Sequence, residues 1–479
     1  MKHLLPIVWC LILTIIAPVI NATTMLSNDN YKIMVISDPH LLAPSLYDDG
    51  NAAHQLEKSD MKMVIQSDYI MHSLVDEIIK AKPQLMLISG DLTFNGERAS
   101  HERLAEHLQR LQEAGVRTLV IPGNHDVMCP YSKQYKGDEP AVVPNVTSEE
   151  FAALYHDFGY SSDSQRDPNS LSYTCEPIPG ILILGIDSNI YATSRDNEVK
   201  YHTDGAVKQE TLEWIRHQLS QAQKSGKRVI AMMHHHLVEH IDGEAKLLPN
   251  YIAANHNEVA QVLREGGVKV VFTGHLHITD AATIDGITNV STGSASTYPI
   301  AMRTVTIDSQ LTTMSIETRI FDSIDLVELG SAKIKNSAPA LASIISRRMW
   351  PRMESTLKQY EPLLAEQGID TSRLPRNAND ITALITKHLR EPLTQSLMAV
   401  SRGGEDPAQA QVIVEAIKQG IKDMMTEIFG DGGESVATFL LANLMPRVEP
   451  TLRSALEDIN QVGTSTQSTT HDHKLTIKL

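Results

Sequence analysis

Between Tyr31 and about Ser323, short apolar runs alternate with longer segments of helical period. Six runs rich in Val, Ile and Leu predict strands that are covered on both faces. They are Tyr31–Ser37, Gln84–Ile88, Arg117–Ile121, Ile181–Ile186, Arg228–Met233 and Val268–Thr273. Helices are predicted over 68–81, 98–115, 149–158, 207–224 and 255–266. This rhythm is typical of a layered α/β domain, and short β-like pieces from Ala281 to Thr318 predict a second sheet.

After about Leu329 the pattern becomes helical throughout. Apolar residues recur every three or four positions from Leu341 to Leu364 and again from Ile413 to Ile428. Pro351 and Pro362 predict a kink or a break in the first of these segments, because proline cannot donate a backbone hydrogen bond. Packing on the first domain or in a small bundle is the favoured interpretation of this region, and a groove for a partner is the alternative.

The N-terminus has the order of a secretory leader. Lys2 precedes an apolar run from Leu4 to Ile20, and the small residue Ala22 follows. We therefore predict a signal peptide over residues 1–22 and an exported protein, either periplasmic or secreted. An uncleaved membrane anchor is the alternative. We expect no transmembrane segment beyond the leader.

Removal of the leader takes away Cys10 and leaves Cys129 and Cys175. An even pair of cysteines in an oxidising compartment favours a disulfide, and two unpaired, partly buried thiols are the alternative. The chain has 42 Lys and Arg against 58 Asp and Glu, a formal charge of -16. This balance argues against an extended nucleic-acid surface, so any recognition of phosphate must be local.

Side chains of metal-ligand type follow five of the predicted strands. They are Asp38 and His40, then Asp91, then Asn124 and His125, then the triplet His234 to His236, and finally His275 and His277. Each short motif alone is commonly an ordinary turn. In α/β sheets, however, the carboxyl ends of the strands line one crevice, so these residues are expected to meet. Asp, Asn and His without Cys suit Zn, Mn or Fe.

The spacing of these residues indicates two metal ions. In an extended segment residues i and i+2 point the same way, so Asp38 with His40, and His275 with His277, can each present two ligands. The full set is too large for one tetrahedral ion. Two ions about 3.5–4 Å apart would use it if Asp91 donated one oxygen to each.

The same blocks resemble those of the calcineurin-like metallophosphoesterase superfamily, whose pattern is D-x-H, G-D, G-N-H-[DE], H and G-H-x-H. Here they stand as Asp38-Pro-His40, Gly90-Asp91, Gly123-Asn124-His125-Asp126, His234 and Gly274-His275-Leu-His277. The resemblance covers roughly residues 31–320. It implies an α/β (α+β) fold of two packed mixed β-sheets flanked by helices, here followed by a C-terminal all-helical region.

The resemblance also implies a role for each site residue. One metal would bind Asp38, His40, Asp91 and His277, and the other Asp91, Asn124, His234 and His275. His234 is preferred to His235, because the family uses the first histidine of such a block. His125 would face the substrate and assist the leaving group as a catalytic residue. Asp126 would either orient His125 or only stabilise the turn. The implied cofactors are two divalent or trivalent ions: Mn, Fe or Zn.

The implied function is that of an exported hydrolase of small phosphate esters, with metal-activated hydroxide attacking phosphorus. The block from Gly90 to Glu97 is similar to that of bacterial cyclic-nucleotide phosphodiesterases, which favours diesters. Purple acid phosphatases carry a tyrosine ligand where this chain has Phe94, so that branch is disfavoured. The alternatives are a broad-specificity phosphomonoesterase and an inactive metal-containing binding module.

The organisation predicted for the chain has four parts. They are a signal peptide over 1–22, the metallophosphoesterase catalytic domain over 31–323, a helical C-terminal domain over 330–462 and a flexible tail over 463–479.

Overall fold

The computed structural model describes residues 30–191, 193–195, 198–200, 203–321, 324, 326–366, 370–404, 406–457 and 474–479. The signal peptide predicted over residues 1–22 lies outside the described residues. Among the helices that are described, none combines the length and the apolar character that crossing a bilayer requires.

The strands are distributed over the whole α/β part of the chain, and one lies at its C-terminal end. They are β1 Tyr31–Ile36, β2 Leu85–Ser89, β3 Arg117–Ile121, β4 Lys133–Gln134, β5 Ala141–Val142, β6 Gln165–Arg166, β7 Tyr173–Ile178, β8 Ile181–Ile186, β9 Thr193–Arg195, β10 Glu198–Lys200, β11 Arg228–Met233, β12 Val270–Thr273, β13 Asp280–Ile284, β14 Ile287–Ser291, β15 Ile300–Ile307, β16 Thr313–Phe321 and β17 Lys474–Lys478.

In the part of the chain that the structure describes, seven α-helices accompany the sheets and four long ones follow them. They are α1 Asn51–Ser59, α2 Ser67–Ala81, α3 Arg98–Glu113, α4 Ser148–Leu154, α5 Gln209–Lys224, α6 Glu244–Leu247, α7 His256–Glu265, α8 Val327–Glu366, α9 Ala378–Ser401, α10 Pro407–Phe429 and α11 Gly433–Leu456. The six predicted strands correspond to β1, β2, β3, β8, β11 and β12, and the predicted helices to α2, α3, α4, α5 and α7.

Two mixed sheets form the centre of the α/β part. The first has the strand order β17-β16-β15-β1-β2-β3, and the second has the order β13-β14-β12-β11-β8-β7-β6. In the first sheet β1, β2 and β3 are parallel to one another. In the second, β8, β11, β12 and β14 are parallel. The predicted class, two mixed sheets flanked by helices, is confirmed.

Strand β11 is buried on both of its faces by apolar side chains. Its side chains alternate, so Ile230 and Met232 belong to the central apolar cluster that contains residues of both sheets. Ala231 and Met233 belong to a separate cluster with residues of α5 and α7. Successive side chains of a strand point to opposite faces, so one apolar run covers two layers. This burial fixes the strand and hence the position of the residues that follow it.

The C-terminal helices pack on one another and on the α/β part of the chain. Apolar residues of α8, α9 and α10 share one cluster, which contains Ile345, Ile385 and Ile417. Ile334 of α8 is buried in the central cluster of the α/β part. The packing interpretation of this region is therefore confirmed.

Helix α8 differs from its prediction, because it runs without a break through Pro339, Pro351 and Pro362. A break at Pro351 or Pro362 is therefore wrong, and the alternative, a kink, stays a prediction. Each proline removes one backbone donor, and the neighbouring side chains Trp350 and Met353 pack in the cluster that α8 shares with α9. Tertiary packing thus maintains a helix that local propensity disfavours.

The end of the chain also differs from its prediction. Within the tail predicted to be flexible over 463–479, residues 474–479 are ordered, and β17 pairs antiparallel with β16. Leu475 and Ile477 alternate with polar residues and pack partly buried against the central cluster. This period of two was overlooked because the segment is only five residues long. Residues 458–473 lie outside the described part.

The predicted disulfide is absent. Cys129 and Cys175 are both free and buried. Cys175 lies on β7, and its sulfur is 3.8 Å from the guanidinium of Arg117, the first residue of β3. Cys129 instead packs beside Gly96, in the loop that follows β2. Because β2 and β3 are parallel, the two thiols lie at opposite ends of these strands. The prediction was wrong because the sequence could not show this separation.

Candidate metal centre

The loops that follow β1, β2, β3, β11 and β12 converge at one edge of the two sheets. Backbone hydrogen bonds join them directly. Asp38 N donates to Gly90 O at 3.1 Å, and His40 N donates to Asp91 O at 3.0 Å. Gly274 N donates to His234 O at 3.1 Å, which ties the last two loops together. The strand ends therefore bring the predicted residues into one site, as parallel strands of an α/β sheet do.

The first cluster contains four side chains whose ligand atoms lie within 4.8 Å of one another: Asp38, His40, Asp91 and His277. His40 Nε2 is 3.1 Å from His277 Nε2 and 3.5 Å from Asp91 Oδ2. His277 Nε2 is 3.3 Å from Asp38 Oδ1. Asp38, His40 and Asp91 are buried, while the side chain of His277 is 18% exposed. The cluster is therefore open on one side only.

The second cluster shares Asp91 and adds His234 and His275, again within 4.8 Å. His234 Nε2 is 3.3 Å from Asp91 Oδ2 and 3.1 Å from the amide oxygen of Asn124. All seven predicted ligands, Asp91 included, are thus gathered in one site. Asp91 Oδ2 is the oxygen close to both His40 and His234, whereas Oδ1 accepts the backbone N–H of His125, so Oδ2 is the atom that would serve both cations.

These distances fit cations. The ring nitrogens of His40 and His277 face each other at 3.1 Å, where they could share at most one proton. Ligands on one tetrahedral ion with bonds of about 2.0–2.1 Å lie roughly 3.3 Å apart, close to the separations in both clusters. The nitrogen and oxygen donors suit Mn, Fe or Zn and contain no thiolate. The residues therefore fit two metal ions, although they do not distinguish among these elements.

Hydrogen bonds behind the ligands orient them. His234 Nδ1 is 2.9 Å from Ser89 O, which directs Nε2 of the same ring toward Asp91. Burial disfavours a charged imidazole, but the Asp91 carboxylate outweighs this and raises the pKa of His234 to about 9. A cation needs the neutral ring, so its binding must displace a proton from this site.

The backbone of the ligand loops is strained. Five ligand residues have positive φ angles: Asp38 at 52°, His40 at 40°, Asp91 at 48°, His275 at 70° and His277 at 61°. Such left-handed conformations are uncommon for residues other than glycine and cost free energy. Their concentration at one edge of the sheets indicates that the surrounding hydrogen bonds hold these loops in place for a function.

Two glycines of the motifs allow the loops to approach closely. A Cβ atom at Gly123 would lie 2.2 Å from Asp91 Oδ1, and one at Gly274 would lie 2.2 Å from Asp38 Oδ2. Any other residue would displace a carboxylate of the cluster. The glycine of each of these two motifs is therefore needed for the geometry of the site, as the ligands are.

The histidine triplet separates into three environments. His234 lies in the second cluster. His235 Nδ1 is 2.8 Å from Ser188 Oγ and its Nε2 is 3.1 Å from Thr203 O, so both of its nitrogens have partners outside the cluster. Burial lowers the pKa of His235 to about 3. His236 bonds to Glu244 at 2.7 Å. This arrangement supports the preference for His234.

His125 and Asp126 occupy different surroundings. His125 lines the cavity beside His40, with ring centres 4.9 Å apart, and its Nδ1 is 2.9 Å from Asn95 Oδ1. Asp126 accepts four hydrogen bonds, from the backbone of Gly123, Leu92 and Thr93 and from the Thr93 hydroxyl. Burial, together with the Asp91 charge, raises the pKa of Asp126 to about 7. These bonds favour the turn-stabilising interpretation of Asp126.

The clusters open into a cavity of about 160 Å³. The sequence motifs did not predict four of its lining residues: Lys62, Thr203, Asn250 and Tyr251. They lie on long loops rather than directly after predicted strands, so the strand-end pattern could not find them. Asn95, which contacts His125, was also missed as a site residue, although it lies inside the Gly90–Glu97 block.

Asp91→Asn should lose most bound metal, because it removes the charge that both clusters share. We expect metal content, measured by elemental analysis after dialysis, to fall from two ions per chain to one or fewer. Asp285→Asn is the matched control, since Asp285 is an exposed residue of the β13–β14 turn. Two ions retained in Asp91→Asn would contradict a shared site.

Comparisons with known proteins agree with this geometry. The profile of the calcineurin-like phosphoesterase family matches residues 31–279. A relative from Rhodococcus erythropolis, described as a probable cyclic nucleotide phosphodiesterase, is 24% identical over 265 residues, which cover 55% of this chain and 70% of that protein. A probable glycerophosphodiester phosphodiesterase from Arcobacter nitrofigilis is 27% identical over 34% of this chain and 47% of its own length.

Among solved structures, a dimetal phosphatase from Danio rerio is similar at 16% identity and a TM-score of 0.43, covering 61% of this chain and 96% of that one. The family profile spans more than half of the chain and contains all the clustered residues. The chain is a metal-dependent phosphoester hydrolase that belongs to the calcineurin-like phosphoesterase family.

Proposed function

We propose that this protein hydrolyses small phosphate diesters. The observation that carries the proposal is the Asp91 carboxylate shared by two ligand clusters, at the base of a cavity that also contains His125. Relatives described as acting on cyclic nucleotides and on glycerophosphodiesters support a diester over a monoester. The names of these relatives imply different alcohols. We therefore propose hydrolysis of a phosphodiester bond without specifying the alcohol that leaves.

The cations that the clusters fit would lower the pKa of a water molecule and neutralise charge on the phosphate. The chain's own part is to hold them and to keep the site rigid. Together with Asp91, Asp38, His40 and His277 would hold one cation, and Asn124, His234 and His275 would hold the other. The buried ligands exclude bulk water from the base of the cavity, so electrostatic interactions with the phosphate are strong there.

His125 is the residue best placed to assist the leaving group. Its side chain lines the cavity beside His40. Its Nδ1 is hydrogen-bonded to Asn95 and not to a residue of the ligand clusters. The backbone N–H of His125 donates to Asp91 Oδ1 at 3.0 Å, which fixes the backbone of this residue relative to the shared carboxylate, and the contact with Asn95 orients its ring. A positioned imidazole can transfer a proton to the departing alkoxide.

The substrate class is tested by comparing bis-nitrophenyl phosphate with nitrophenyl phosphate after the protein is loaded with Mn, Zn or Fe. We expect kcat/KM to be at least 10-fold higher for the diester. A preference for the monoester would replace the proposal with a phosphomonoesterase. Absence of turnover on both, despite two bound ions, would favour a metal-containing binding module.

His125→Ala should keep both metal ions and lose turnover by about 100-fold or more, the usual size of general-acid assistance. His156→Ala is the control, because that side chain is 60% exposed on the surface. Metal content and kcat are measured on the same preparations. An unchanged kcat in His125→Ala would remove His125 from the reaction.

We also propose that the protein is exported, which the order of Lys2, the apolar run Leu4–Ile20 and Ala22 supports. Expression in a bacterium with two membranes, followed by fractionation and N-terminal sequencing, tests this. We expect a periplasmic protein that begins near residue 23. An intact N-terminus in the membrane fraction would instead indicate an uncleaved anchor.

A further inference from the structure

Lys62 is the only Lys or Arg among the described residues that line the cavity of the metal clusters. Its side chain is 17% exposed, and Nζ lies 5.6 Å from the centre of the Phe94 ring. Its ion-pair partner among the described residues is Asp60, whose Oδ1 lies 3.7 Å from Nζ, too far for a hydrogen bond. The ammonium group therefore retains hydrogen-bonding capacity at the cavity.

Lys62 lines the same cavity as His40 and His125, so its charge lies beside the metal clusters. A protein with a formal charge of -16 thus has a fixed positive charge beside its reaction site. Such a local cation is what the recognition of a phosphate oxygen requires.

Lys62 lies on the loop between α1 and α2, and this loop is tied to the metal site. Met63 N donates to Ser296 O at 2.7 Å. The Ser296 hydroxyl in turn donates to Asp38 O, and the next residue, Thr297, lies 3.4 Å from His277 Nδ1. The position of Lys62 is therefore fixed relative to the first cluster through the segment that contains Ser296.

The helical C-terminal region holds the same loop from the other side. Lys333 of α8 is only 6% exposed, and its ammonium donates to Glu57 O and to Asp60 O, the latter at 3.2 Å. Burying an ammonium group is costly unless it is hydrogen-bonded, so these bonds to carbonyls are a specific contact rather than surface packing. Burial lowers the pKa of Lys333.

A second contact joins the helical region to the segment beside the metal site. Arg402, just after α9, donates to the Tyr298 hydroxyl at 2.6 Å, and Gly330 of α8 packs against the same ring. Tyr298 follows Thr297, which contacts His277. The helical region therefore supports both the loop that carries Lys62 and the segment that contacts His277, two residues that line the cavity.

We propose that Lys62 binds an anionic oxygen of the substrate's phosphate group, and that Lys333 is a positioning residue through which the helical region sets the place of Lys62. This inference deepens the proposed function and rests on it, because the ligand is the phosphate ester of that site. It gives the C-terminal helices a role in substrate affinity.

The test uses the full chain with both metals bound and inorganic phosphate as the probe. Lys62→Ala should weaken phosphate binding, measured by isothermal titration calorimetry, by about 10-fold or more, the size of one charge-assisted hydrogen bond. KM for the diester should rise by a similar factor, with kcat changed less than about threefold. Lys58→Ala, an exposed lysine in the last turn of α1, is the matched control and should change neither value.

Lys333 is tested in a double-mutant cycle, which separates a specific coupling from general loss of stability. Lys333→Met removes the charge and the hydrogen-bond donors and keeps an unbranched side chain of similar volume. We expect it to weaken phosphate binding about 3- to 10-fold in the presence of Lys62 and to have no further effect in Lys62→Ala. Lys333→Gln takes its place in the same cycle if the methionine variant does not fold.

The outcomes separate this inference from the proposed function. Unchanged phosphate affinity in Lys62→Ala would overturn the role of Lys62 even if diesters are hydrolysed. Equal effects of Lys333→Met with and without Lys62 would overturn the role of Lys333. If no ester is hydrolysed, the proposed function fails, while calorimetry with phosphate still decides whether Lys62 binds the anion.

Discussion

The carboxylate of Asp91 is the point on which the structure of the site depends. Its Oδ2 lies 3.5 Å from a nitrogen of His40 and 3.3 Å from a nitrogen of His234, which come from loops of different sheets. Its Oδ1 accepts the backbone N–H of His125. One buried charge therefore requires both sheets to end at the same place. The apolar layers on each side of β11 maintain that alignment. The geometry of the site therefore depends on the packing of the core.

Cation binding explains two features of the site: the strained backbone of its ligands and the glycines packed against them. Buried carboxylates and imidazoles at about 3–3.5 Å are costly without compensation, and strained backbone at five ligand positions adds to that cost. Bound cations would compensate the charges and make use of the strained geometry. The glycines beside the ligands have the same explanation, because a Cβ atom at Gly123 or Gly274 would collide with a ligand carboxylate.

The sequence predicted the parts of this molecule that depend on local pattern. Apolar runs predicted the strands, and the residues after each run predicted the seven clustered side chains, because strand ends of an α/β sheet converge by topology alone. Features that depend on tertiary contact were missed. Lys62 lies on a loop, its anchor Lys333 is 271 residues further along the chain by their numbers, and neither belongs to a motif. The continuity of α8 through three prolines, the pairing of β17 and the separation of the two cysteines also depend on packing that no short segment records.

The central claim is that two cations occupy the clusters on either side of Asp91. Anomalous X-ray diffraction from crystals grown with Mn²⁺ or Zn²⁺ tests it most directly, because it locates each ion independently of activity. The account predicts two anomalous peaks about 3.5–4 Å apart, one beside His40 and His277 and the other beside His234 and His275. A single peak, or peaks away from Asp91, would contradict it.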